Sequence, residues 1–92
     1  MEKRRNVRCL GRAHAMPIVL RVGRYRFLFF SNEGQEPPHI HVKAGGDEAK
    51  FWLSPVHLAV NYGFSGHELS EIERLVTEHR ETLLEAWDEY FG

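Results

Sequence analysis

The sequence predicts an α+β fold, in which an antiparallel four- to five-stranded sheet packs on one long C-terminal amphipathic helix. Two patterns carry that prediction. From Ile18 to Tyr62, short β-branched and aromatic segments are separated by Gly, Pro and Asn, and from Gly66 to Tyr90 apolar residues recur at alternating three- and four-residue steps. A chain of 92 residues with 42% hydrophobic content suffices for one core and is too short for two.

Ile18 to Val22 and Tyr25 to Phe30 read as two strands, with Gly23 between them where a tight turn can form. In the second strand Tyr25, Phe27 and Phe29 share one face, and Arg26, Leu28 and Phe30 share the other. Both faces therefore need cover, which predicts a central strand. Ser31 to Pro38 breaks the pattern with turn formers and two consecutive prolines. It is a loop that delivers the chain stiffly into the next strand.

His39 to Ala44 and Glu48 to Leu53 form a second hairpin around Gly45-Gly46. With those glycines as the two loop residues, Ala44 faces Asp47, Val42 faces Ala49, His41 faces Lys50, Ile40 faces Phe51 and His39 faces Trp52. One face then holds Ile40, Val42, Ala49, Phe51 and Leu53. The other holds His39, His41, Lys43, Glu48, Lys50 and Trp52. A slip of one residue would mix the two sets, so this register is the expected one. Val56 to Tyr62 alternates as a fifth strand; the competing assignment, a short helix after Ser54-Pro55, is disfavoured because Val and Tyr form strands more readily than helices.

Ser65, with Glu68 three residues on, makes a capping box. Behind it Leu69, Ile72, Val76, His79, Leu83, Ala86 and Tyr90 line one stripe, widened by Leu75, Trp87 and Phe91. A single helix from about residue 66 to 90 is expected to lay that stripe across the inner face of the sheet. His79 falls on the stripe as a core or boundary residue. Glu78, Glu81, Glu85, Asp88 and Glu89 crowd its last turns as a solvated acidic face.

Net charge is −1, yet residues 1–16 carry +4 and residues 17–92 carry −5. The acidic body argues against whole-domain attraction to nucleic acid. Residues 1–15 lack hydrophobic periodicity and a signal-type apolar stretch. They are expected to be a basic flexible extension preceding a single domain at 16–92. No apolar run approaches the ~18 residues of a membrane span. Cys9 stands alone, so no internal disulfide can form, and a reducing cytoplasmic location is expected.

Pro37-Pro38-His39-Ile40-His41-Val42 is the sharpest chemical feature. Two histidines at i and i+2 of a strand point the same way with Cα atoms roughly 6.5–7 Å apart, within reach of one metal ion. A third ligand would come from His57, from Glu33 or Glu36 in the preceding loop, or from a neighbouring strand. Without one, no cofactor is assigned. The same pair could act as general acid and base in metal-independent RNA cleavage, with Arg24, Arg26, Lys43 and Lys50 stabilising phosphate charge. Trp52, among His and Lys side chains on the outward face, is either covered by a loop or offered to a partner. His39, His41, Lys43, Lys50 and Trp52 are thus the candidate binding residues, and His39, His41 and His57 the candidate metal ligands. On an exposed face, replacing both strand histidines with Ala would shift stability by less than about 1 kcal/mol.

Met16-Pro17-Ile18, Tyr25-Arg26-Phe27, Phe29 to Glu33, Glu36 to Val42, Glu48 to Leu53, Gly63-Phe64-Ser65, Glu78-His79-Arg80 and Leu83 to Trp87 resemble the bacterial domain-of-unknown-function family 4160. The resemblance covers residues 16–92, and its run from Glu36 to Val42 is the distinctive part. It implies a toxin-like member of a two-gene, toxin–antitoxin-type pair, hence a small protein partner encoded nearby and action on RNA or translation. It implies no catalytic residue. The alternative is a small metal-binding protein using His39 and His41. The basic extension before Met16 departs from the usual member.

Overall fold

The computed structural model describes residues 18–92; the extension at 1–15 and the Met16-Pro17 pair lie outside the described residues. Five strands come first: β1 (Ile18–Val22), β2 (Tyr25–Leu28), β3 (His39–Ala44), β4 (Asp47–Leu53) and β5 (Val56–Tyr62). All neighbours are antiparallel and the spatial order follows the chain, β1-β2-β3-β4-β5. β2 is interior, as its two apolar faces require, while β3 is the middle strand. The second hairpin has the expected register at every pair from His39↔Trp52 to Ala44↔Asp47. Gly45 has φ of 60°, the left-handed conformation that a two-residue hairpin loop demands. The segment at 56–62 is a strand, with an irregularity where its pairing steps from Lys50↔Val60 to Phe51↔Leu58.

The capping box forms: the Glu68 amide donates to Ser65 Oγ at 3.1 Å, and the Ser65 amide donates to Glu68 Oε1 at 2.9 Å. The helix it starts does not run unbroken to residue 90. There are two helices, α1 (Gly66–Glu78) and α2 (Arg80–Phe91), meeting at His79, whose φ of −104° and ψ of 16° lie outside the helical well. Neither Gly nor Pro causes the break. Arg80 Nε donates to the Leu53 carbonyl at 2.6 Å and its Nη2 to Ser54 Oγ at 3.0 Å, so the first turn of α2 is tied to the β4–β5 turn. That distant anchor overrides a continuous local pattern. His79 itself is half-buried at the junction.

Both helices cover one face of the sheet. Phe27, Phe29, Ile40, Val42, Phe51 and Leu53 are fully buried there against Ile72, Val76 and Leu83. Each such side chain contributes about 1.5–3 kcal/mol of hydrophobic free energy. The opposite face departs from expectation. His39 is 0% and His41 4% exposed, because the segment at 29–38 folds back over them as a strap with Glu33 and Phe30, and Trp52 and Trp87 close on the His39 ring. The outward set of the hairpin is therefore solvated only in part. Among the described residues, no helix is long and apolar enough to cross a membrane.

Candidate metal centre

β3 aims His39 and His41 to the same side, and the strap brings a carboxylate down on them. Two consecutive turns shape the strap, with the Glu33 amide donating to the Phe30 carbonyl at 3.3 Å and the Glu36 amide to the Glu33 carbonyl at 3.2 Å. Phe30 stacks on the His41 ring at 3.9 Å between centroids. The His39 ring is walled by Trp87 of α2 at 4.9 Å and by the edge of Trp52 at 5.7 Å. The strap also seats against α2: a Cβ on Gly34 would lie 2.6 Å from the Phe91 ring.

At the centre, Glu33 Oε1 lies 2.6 Å from His39 Nε2 and 2.6 Å from His41 Nε2. The proton on His39 is located by its other nitrogen. Nδ1 is 3.0 Å from the Pro37 carbonyl, which can only accept, so Nδ1 carries hydrogen and a neutral ring turns the Nε2 lone pair toward Glu33. Burial raises the Glu33 pKa, but hydrogen bonds and charge from His39 and His41 outweigh it and hold the carboxyl below its usual range. His41 Nε2 can donate its own N–H to that ionised carboxylate, whereas the lone pair on His39 Nε2 needs positive charge in between. A second proton on the His39 ring supplies it, and so does a metal cation held by all three side chains.

The donor set suits the cation. Among the described residues, Glu33, His39 and His41 form the group of His and acidic side chains whose ligand atoms, one from each, all lie within 4.8 Å of one another. Two imidazoles and a carboxylate are a set used by catalytic zinc and non-haem iron sites, which leave further positions open. The outer contacts fit as well. Ligating histidines usually give the second ring N–H to a carbonyl or carboxylate. His39 has the Pro37 carbonyl; His41 Nδ1, buried and without a hydrogen bond, faces Glu48 Oε2 at 3.4 Å.

Lys43 and Lys50 flank this group on the rim. Lys43 Nζ is 4.0 Å from Glu48 Oε1, and Lys50 Nζ donates to Glu36 Oε1 at 2.6 Å while lying 4.6 Å from the Trp52 ring centroid. Trp52 is half-buried, so cover and exposure share it. His57 does not join the ligands. It is exposed, opposite Trp52 on β5, and the side chain that converges with His39 and His41 is Glu33. Glu36 stands outside that group and accepts from Lys50, and Arg24 is in an ion pair with Glu68 at 3.1 Å. Sequence reasoning missed Phe30, Glu48 and Trp87 as walls of the centre. Glu48 had a signal, since the register put it on the histidine face; Trp87 had only its place on the apolar stripe of the helix, which does not tell that it meets His39.

The family model described as "Domain of unknown function (DUF4160)" matches residues 25–88, a span that contains the strap and both histidines. No curated protein and no solved structure matches the chain.

Proposed function

The chain belongs to the DUF4160 family, and on that footing we propose that it is a small metal-binding protein whose centre consists of Glu33, His39 and His41. One observation carries this reading: a single carboxylate oxygen stands 2.6 Å from two buried Nε2 atoms, a convergence of three ligand atoms that one shared cation would satisfy. The mixed N₂O set suits a divalent first-row metal such as zinc, iron or cobalt. Metal analysis of the purified protein tests it. About one ion per chain is expected in the wild type, with loss of that ion in Glu33→Ala. A wild type that dialyses to a metal-free state at micromolar zinc would contradict it.

A second reading follows from the family resemblance: a bacterial, cytoplasmic, toxin-like protein that binds a small partner and acts on RNA or translation when released. The observation that favours it is the partly exposed outer side of β4 and β5. Tyr62 is 66% exposed there, and Pro37, Pro38, Trp52, Ser54, Pro55 and His57 line a cleft of about 280 Å³. Co-purification with the product of the adjacent gene tests it. Trp52→Ala and Tyr62→Ala together should release that product; retention would remove this surface from the interface.

A further inference from the structure

Charge is divided between the two layers of this molecule. Helices α1 and α2 carry Arg74 and Arg80 against eight acids, whereas residues 18–62 carry five cations against four acids. The acidity of the body thus belongs to the helical side of the sheet, and the histidine side is close to neutral.

The balance is closer still around the centre. Glu33, Glu36 and Glu48 are matched by Lys43, Lys50 and Arg26, the last lying opposite Lys43 across β2 and β3. A divalent ion on Glu33, His39 and His41 adds two positive charges that no neighbouring carboxylate offsets. The floor of the site is sealed, since the His39 and His41 side chains are 0% and 6% exposed. The rim is open, with Glu48 28% and Lys43 31% exposed. Three protein ligands leave coordination positions free, and the rim, where Glu33 is itself 18% exposed, is the side from which a further ligand would approach.

Resting on the metal-binding reading above, we propose that the loaded centre takes a phosphate-type oxyanion. One oxygen completes the coordination of the metal, and two others accept from Lys43 and Lys50. The register supplies the geometry. Lys50 sits directly opposite His41, with Cβ atoms about 4.5–5.5 Å apart in such a pair, and Lys43 stands two residues along the same strand, roughly 6.5–7 Å from His41. The two ammonium groups therefore approach from different strands. A tetrahedral anion with three or more oxygens can meet the metal and both lysines, while a planar carboxylate offers two oxygens only. The lysines already share carboxylates with Glu48 and Glu36, so the added charge of the metal is what releases them toward an anion.

Cobalt(II) loading provides the test, because its visible bands report changes of ligand at the metal. Equilibrium dialysis first measures cobalt bound to the full chain; if none binds, the metal reading and this inference fall together. With cobalt bound, inorganic phosphate at constant ionic strength should shift the bands at least about tenfold more tightly than acetate. Lys50→Met and Lys43→Met should each retain cobalt and weaken phosphate at least about tenfold, the loss of one charge-assisted hydrogen bond. Dimethyl phosphate checks the oxygen count: with two terminal oxygens, as in acetate, it should shift the bands at least about tenfold more weakly than inorganic phosphate, which identifies a free phosphate or monoester as the ligand, and a matching shift would overturn the three-point geometry. Bound cobalt with bands unmoved by phosphate, or moved equally by acetate, would overturn the inference and leave the metal centre standing.

Discussion

Glu33 is a strap residue whose role is defined by two histidines six and eight positions later. Its pairing with them makes His39 and His41 interior groups, and this revises what their removal does. On an exposed strand face the double alanine variant would cost less than about 1 kcal/mol. Buried between Trp52, Trp87 and Phe30, the two rings are packing elements as well as proposed ligands. Deleting both should cost about 2–4 kcal/mol, by the cavity left and the carboxylate stranded over it, measurable by urea denaturation of the metal-free protein. A cost under 1 kcal/mol would mean that the strap does not cover β3 in solution. The sequence had supplied the direction of the two side chains correctly. It could not supply their burial, because alternation along β3 tells which residues share a face and says nothing of what lies on that face.

Elements differ in how far local pattern decides them. The β3–β4 hairpin was legible pair by pair because Gly45-Gly46 fixes the loop and the apolar set tolerates no slip. The helix break was not, since Arg80 finds its partners at Leu53 and Ser54, far away in the chain. Within α1, Val76 is fully buried. Val76→Asp places an unpaired charge in the core and should cost several kcal/mol, about 3 or more, enough to unfold so small a domain at 37 °C; an unchanged melting temperature would put the wrong helix face inward. The capping box makes a pH prediction. The backbone hydrogen bond from Ser65 outweighs burial and, with Arg24, holds the Glu68 carboxyl below its usual range. Its contribution is thus complete above the unfolded-state pKa and is lost as pH falls through the folded-state value. Melting temperatures followed into acid should decline less over that window in Glu68→Gln than in the wild type. Parallel curves would assign the acid loss to other groups. For the strap, Gly34→Val drives a side chain into Phe91 and should weaken metal binding without altering a ligand. Unchanged affinity would show that Glu33 is positioned independently of α2.

At the scale of the whole molecule, one architecture produces two unlike faces. The helices bury the apolar face of the sheet and carry most of the acids. The strap closes only β3 on the other face, leaving the centre under a rim of lysines and carboxylates. Fold class and layer order were readable from periodicity, which is a property of each segment by itself. The proposed centre was readable only in part, since two of its residues lie on a patterned strand and the third on a loop without pattern. A metal bound only by the folded chain stabilises it by about 2.7 kcal/mol at a hundredfold excess over Kd, so occupancy of the centre is also visible as a shift in thermal unfolding. The most direct measurement is therefore zinc stoichiometry by equilibrium dialysis, with melting temperatures in parallel, for wild type, Glu33→Ala and His57→Ala. The wild type and His57→Ala should bind one zinc per chain and melt higher with it, and Glu33→Ala should do neither. Zinc retained by Glu33→Ala, or lost from His57→Ala, would contradict the assignment of Glu33 as the third ligand.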